Sequence, residues 1–227
     1  MERIESNGLL FDTRPNTSDA QAIKEVVTKH GYTRKYFQIE AGEQWLDLGA
    51  NIGAFSVFAS SKGASVRAYE PEPQNALLAK NNVTLNGFDV QVIEQAVVAD
   101  TFEQKQLNLY LSNTSYGLWR HSLYKTKNKH AIPVEAVKIS SILEGVDGIK
   151  MDIEGAEIDI LSTIVGFGSV RKLVFEYHFD INNSIPLFLQ LTERLCQFFQ
   201  HVQYGKMPLA LEYNFFPPAR IVFCWND

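Results

Sequence analysis

The sequence predicts an α/β fold, a mostly parallel sheet covered by helices on both faces. Three observations carry that expectation. Short apolar runs alternate with helical patterns from Trp45 onward. A glycine-rich loop joins the first of these runs to the helix behind it. The chain has 227 residues, 45% of them hydrophobic, which suits one large core better than two small domains.

In chain order, residues 1–17 read as an irregular, polar lead-in. Ser18–His30 reads as an amphipathic helix, with Ala22, Ile23, Val26 and Val27 on one face and Gly31 behind it. Together these make an N-terminal extension, residues 1–43, to a single domain spanning 1–227. Trp45–Leu48 is the first strand and Ala54–Lys62 a helix closed by Gly63. Ser65–Tyr69 is a second strand, Pro73–Asn86 a helix that opens on proline, and Val90–Ile93 a third strand. The rhythm then breaks. Leu107, Leu109 and Leu111 alternate with polar residues, as do Ile132, Val134 and Ala136, which predicts a β-hairpin-like insertion over 105–139. Afterwards come a strand at Gly148–Asp152, a helix at Ala156–Val165, a strand at Lys172–His178 and a helix at Pro186–Gln200. Val202–Tyr204 and Ile221–Trp225 close the chain with no clear helix between them, so they are expected to pair antiparallel.

Composition narrows the function. Lys+Arg 21 against Asp+Glu 26 gives a net charge of −5, a poor match to nucleic acid, whose affinity comes largely from neutralised phosphates. Leu9, Leu10 and Phe11 are too short a run for a signal segment or a membrane span. Cys196 and Cys224 form no metal pattern and read as reduced core thiols. A cytoplasmic protein is expected. The stretch Arg120, His121, Lys125, Lys127, Lys129 and His130 is a basic patch that is either a solvated loop or a receiver of an acidic substrate group. Ser115-Tyr116-Gly117, in the same insertion, is a further candidate contact.

Two motifs carry a cofactor reading. Asp47-Leu48-Gly49-Ala50-Asn51-Ile52-Gly53 lies between a strand and a helix, at the sheet edge where open α/β folds bind cofactors. Asn51 and Ala54 stand where a dinucleotide fingerprint needs its second and third glycines, and no Gly-Lys-Ser/Thr follows. Glu70-Pro71, 17 positions after Gly53, places a carboxylate where one holds ribose hydroxyls in many nucleotide enzymes. A third constellation is acidic. Asp152 and Glu154 end one strand candidate, and Glu176 and His178 end the next. Such groups at the ends of apolar strands call for a ligand, a metal, a general-base role or a structural ion-pair network.

The loop, Glu70-Pro71, Asn82-Val83-Thr84-Leu85-Asn86-Gly87 and Lys150-Met151-Asp152-Ile153-Glu154-Gly155-Ala156-Glu157 together resemble the FkbM family of S-adenosylmethionine-dependent methyltransferases. The likeness runs from about Trp45 to His178, and the last block is its most specific part. It implies a Rossmann-like class I methyltransferase fold, with a seven-stranded sheet and a final antiparallel strand. It also implies S-adenosyl-L-methionine as cofactor. Gly49, Asn51 and Gly53 would line its methionine and ribose part, Asp47 would position the loop, and Glu70 would hold the ribose. Gln95 and Ala96 fall where the family contacts adenine. The reaction expected is O-methylation of a small-molecule or sugar hydroxyl. Asp152, Glu176 and His178 are the candidates to remove its proton. Either neutral His178 is the base, with a carboxylate on its other nitrogen and a pKa near 6.5, or the three hold a divalent metal. A cofactor-binding or aminopropyl-transfer protein on the same fold is the alternative, followed by an NAD-dependent oxidoreductase.

Overall fold

The computed structural model describes residues 1–111, 130–179, 184–204 and 219–227. The N-terminus is not irregular: β1 (Glu2–Ser6) pairs antiparallel with β2 (Leu9–Thr13). Their turn is Asn7-Gly8, at φ 51° and 78°, the dipeptide suited to a tight two-residue hairpin. That turn was the signal in the sequence; the strand pattern is faint because only Phe11 and Thr13 of the hairpin are buried. The expected helix over 18–30 divides into α1 (Asp19–Ile23) and a π-helical turn, Lys24–Thr28. Ile23, Val26 and Val27 are buried as their spacing predicts.

The chain continues as β3 (Gln44–Leu48), α2 (Ala54–Ser61), β4 (Ser65–Tyr69), α3 (Pro73–Leu85) and β5 (Gln91–Ile93). Next come β6 (Gln95–Val98), β7 (Gln106–Leu111) and β8 (His130–Lys138). The second half holds β9 (Gly148–Met151), α4 (Glu157–Thr163), β10 (Lys172–Tyr177), α5 (Ile185–Leu195), β11 (His201–Tyr204) and β12 (Arg220–Trp225). The main sheet is seven-stranded, in the order β11-β12-β10-β9-β3-β4-β5. β12 runs antiparallel to both its neighbours, and the pairs from β10 across to β5 are parallel. The strand order reverses between β3 and β9, which opens a crevice at their carboxyl ends. A second sheet, β6-β8-β7, sets Leu107 opposite Val134 and Leu109 opposite Ile132. Its own core is small, consisting of Ala96, Leu109 and Val134.

Alternation along the strands divides the core between the two faces. Leu46, Leu48, Ile149, Met151, Leu173 and Phe175 pack on the α4–α5 side with Ile160, Leu161, Phe188 and Leu191. Trp45, Val66, Val174 and Phe223 pack on the other side with Phe55 and Phe58 of α2 and with Phe37 of the N-terminal segment. Fully buried Asn82 ties that segment down. Its Oδ1 accepts from the Asp12 amide at 2.7 Å and its Nδ2 donates to the Ile52 carbonyl at 2.9 Å. Cys224 is buried, but Cys196 is exposed, because it caps α5 beyond the helix's apolar stripe. Among the described residues, no helix is long and apolar enough to cross a membrane.

A buried ion pair joins the two strands at the crevice. Lys150 on β9 lies 3.1 Å from Asp47 on β3, with the side chains 5% and 0% exposed. The ammonium also donates to the Gly49 carbonyl at 2.7 Å. Burial opposes the charge on Lys150, but Asp47, and then Asp152, hold its pKa above the usual value. Removing one partner of a buried pair typically costs about 3–5 kcal/mol. Lys150→Met should therefore destabilise the protein by about that amount in denaturant unfolding. Asp47→Asn combined with Lys150→Met should cost less than the two single changes added together.

Candidate active site

The glycine loop is bent by its own neighbours. Gly49 sits at φ +75°, and a Cβ there would lie 1.9 Å from the Asp152 carbonyl oxygen. Gly53 sits at φ +81°, with its Cβ position 3.1 Å from Ala79 of α3. The space that a side chain on Gly49 or Gly53 would take is filled by the protein's own chain. What the bend presents is Asn51, itself left-handed at φ 51°. The Asn51 amide donates to Glu70 Oε2 at 2.7 Å, and the Glu72 amide donates to Oε1 at 3.0 Å. Pro71 lies half-buried between them, in the turn to α3. Burial raises the Glu70 carboxyl to about 7, although both amides pull the other way.

These residues fit the adenosine end of S-adenosylmethionine. A carboxylate has about four acceptor positions, and the two amides leave room on Glu70 for hydroxyls. The side-chain oxygen of Asn51 is buried with no partner among the described residues, an unmet acceptor in the same loop. Asp47 does not face this space; it binds Ser56 Oγ at 2.7 Å as well as Lys150, and so fixes the loop from beneath. Gln95 and Ala96 open β6. The Gln95 amide donates to Glu135 at 3.2 Å, and Ala96 is buried in the small core.

The acidic residues meet in the crevice, but with different neighbours from those their spacing suggests. Asp152 and Glu154 lie past the end of β9, Glu154 at φ 56°, so they share a turn and not a strand face. His178 Nε2 is 3.8 Å from Asp152 and 3.6 Å from Glu154. The carboxylate on Nδ1 is Glu157 at 3.2 Å, in the place expected of Glu176. Glu157 is itself fixed by the amides of Ile153 and Gly155, at 3.0 and 2.9 Å. Glu176 instead shares a hydrogen-bond donor with Asp152. The Tyr32 hydroxyl donates to Asp152 at 2.9 Å and reaches Glu176 at 3.4 Å.

Crowding of like charges sets the electrostatics. Burial, and then the charge of Asp152, lift Glu176 to about 7. Burial lifts Glu154 to about 8 against the pull of His178. Burial works against a charged imidazole, yet Glu157, Glu154 and Asp152 together hold His178 well above its usual range. That direction runs against the expectation of a neutral base with a pKa near 6.5. Tyr32 is pushed well above 10 by burial and by Asp152, so it stays a donor. The described residues whose ligand atoms come within 4.8 Å of one another are Asp152, Glu154 and His178, which replaces Glu176 in the expected metal set.

Spacing did not single out Tyr32, Glu157 or Lys150. Lys150 and Glu157 stood in the quoted block, but their roles depend on contacts with the loop and with His178. Tyr32 lies 120 positions before Asp152, and no local pattern joins the two. The basic stretch 120–129 and Ser115-Tyr116-Gly117 lie outside the described residues, while His130 is exposed at the start of β8.

Comparison with known proteins shows the family and the fold. The model of the methyltransferase FkbM domain matches residues 47–205, more than half of the chain. The 31-O-demethyl-FK506 methyltransferase FkbM of Streptomyces tacrolimicus is 30% identical over 206 residues, covering 75% of this chain and 78% of that protein. Among solved structures, a tRNA (uracil-54, C5)-methyltransferase of Pyrococcus abyssi, in complex with S-adenosyl-L-homocysteine, superposes with a TM-score of 0.54 at 12% identity. This chain is covered over 99% of its length but spans only 44% of that protein, so the likeness is one of fold. The protein yhhF of Escherichia coli, described as a methyltransferase, gives 0.50 at 11% identity with both chains covered in full. The chain belongs to the FkbM family of S-adenosylmethionine-dependent methyltransferases.

Proposed function

We propose that this protein methylates a hydroxyl group of a small molecule. The observation that carries the reading is the adjacency of the glycine loop and the acidic cluster. Asp152 donates its amide to Leu48 at 3.0 Å, and its carbonyl lies against Gly49. Binding and proton removal thus meet at one crevice. When bound, S-adenosylmethionine supplies an electrophilic methyl group on a sulfonium. Asn51 and Glu70 hold its ribose end, and Lys150 keeps the loop in place. The acceptor oxygen gains the methyl and loses its proton, with S-adenosylhomocysteine as the other product. Asp152 and Glu176, joined through Tyr32, receive that proton. His178, whose charged form Glu157 favours, would offset the negative charge around them.

A net charge of −5 supports a neutral acceptor over a nucleic acid, whose phosphates an acidic protein repels. The streptomycete relative, by its name, acts on an O-demethylated small molecule, which favours the same chemistry here. Asp152, Glu154 and His178 are the residues to hold a divalent cation if one takes part. Two carboxylates and one imidazole suit manganese, iron or zinc better than magnesium.

Binding and turnover both test this. Glu70→Ala should weaken S-adenosylhomocysteine binding by about 1.5–3 kcal/mol in calorimetry. An ionised carboxylate accepts hydroxyls better than a neutral one, so affinity should rise with pH through about 7 and binding should release a proton. Glu70→Gln should abolish that release while leaving the fold intact, whereas Gly49→Ala should lower stability and affinity together. Against a panel of alcohols, phenols and amines, Asp152→Asn and Glu176→Gln should each slow S-adenosylhomocysteine formation roughly 10²–10⁴-fold. Turnover should survive a chelator. Loss restored by added manganese would assign the Asp152, Glu154 and His178 set to a metal, and turnover with amines alone would move the acceptor to nitrogen.

A further inference from the structure

The transfer site leaves several cations of the N-terminal segment and α2 unused, and they converge on a cleft of about 300 Å³. Arg34, Lys35 and Lys62 stand around it with His30, and Phe58 and Ile39 form its apolar floor. No carboxylate lines it. The acids nearest in sequence are engaged elsewhere: Glu25 pairs with Lys29, and Glu40 and Glu43 pair with Lys172. Among the described residues, the charges of the three lysine and arginine groups rest on aromatic rings. Arg34 lies over Phe223 at 4.5 Å, Lys35 over Tyr36 at 5.0 Å and Lys62 over Phe58 at 5.2 Å.

Arg34 is also pre-set. Its Nη1 donates to the carbonyls of Thr33, Gly31 and His30, at 2.7, 3.3 and 3.4 Å. That holds the guanidinium in one orientation before any ligand arrives, which lowers the ordering cost of binding. Arg34, Lys35 and Lys62 are exposed at the rim of the cleft, and none of them pairs with a carboxylate among the described residues, so an anion entering it would meet three cations at once. The carboxyl end of α2 opposes an anion, and Lys62, its cap, offsets that effect.

We propose that this cleft binds a phosphate-bearing small molecule. The phosphate is held by Arg34, Lys35 and Lys62, and the organic part lies on Phe58 and Ile39. A doubly charged phosphate engages three cations where a carboxylate would engage fewer, and arginine matches its geometry through paired N–H groups. The volume lies at the lower end of the range for small-molecule pockets. The site is separate from the cofactor loop. α2 begins beside Gly53, and its eight residues carry Lys62 about 12 Å away at 1.5 Å per residue.

The test is calorimetry on the full chain saturated with S-adenosylhomocysteine, so that adenosine compounds cannot enter the cofactor site. The probes are inorganic phosphate, glycerol 3-phosphate and adenosine 5′-monophosphate, with glycerol and adenosine as uncharged controls, at low and high salt. Saturable binding of an organic phosphate is expected, stronger than inorganic phosphate and weakened by salt. Lys35→Gln with Lys62→Gln should reduce it at least about tenfold, with unchanged thermal unfolding and unchanged S-adenosylhomocysteine affinity. Arg34→Lys should also weaken it, since the charge stays but the paired donors are lost. Equal binding by the double variant, or no binding of any phosphate probe, would overturn the proposal. Binding of a short single-stranded RNA through the same lysines, with no response to the small phosphates, would overturn it too.

Discussion

The structure depends on one buried cation. Lys150 reaches across from β9 to Asp47 on β3 and to the carbonyl of Gly49, at 3.1 and 2.7 Å. Those contacts fix three things at once: the spacing of the two central strands, the path of the glycine loop and the position of Asp152 beside it. A charge this deep has value only while its partners stay in place. It therefore selects one register of β3 against β9, the pair across which the strand order reverses. The strand pair that bounds the crevice and the pair held by this buried charge are the same.

The acidic cluster above that pair is built against stability. Burial comes first, and the neighbouring acids add to it, so Glu176 is lifted to about 7 and Glu154 to about 8. A network of full ion pairs would keep its carboxyls ionised; this cluster holds acids that are partly protonated at neutral pH. A carboxyl that titrates near neutrality can both accept a proton and give it up, which is what the proposed proton removal asks of it.

Much of the fold was legible because the main sheet alternates apolar strands and amphipathic helices, and most boundaries carry a glycine, proline or asparagine. The antiparallel β12 was visible as a strand pattern that follows another with no clear helical pattern in the sequence between them. The N-terminal hairpin was not, because its strands bury little and only Asn7-Gly8 marks it. The division of the first helix into α and π turns left no trace in apolar spacing, which suits either geometry. In the site, Asp152, Glu154 and His178 could be gathered from strand ends. Their partners could not. Whether Glu157 or Glu176 meets the imidazole depends on a left-handed turn at Glu154, which sends the backbone out of the strand and brings α4 under the ring. Likewise Gly49 was legible as a glycine that must be there, but its neighbour, the Asp152 carbonyl, comes from a strand about a hundred residues away.

Tyr32 shows how the two halves of the site differ in origin. The loop, Glu70 and the Lys150–Glu157 block all lie inside residues 47–205, the part that matches the family model. Tyr32 lies before it, in a segment pinned to the core by Asn82 and by the Phe37–Trp45 and Phe37–Phe223 ring contacts, at 6.2 and 5.1 Å between centroids. Its hydroxyl nonetheless bridges Asp152 and Glu176. On the proposed function, cofactor binding rests on the central strands, whose geometry a change of sheet register would destroy, and the N-terminal segment would complete the acceptor side. A fold divided in this way could keep one methyl donor and change acceptors, because the residues proposed to meet the acceptor are not those that hold the sheet together.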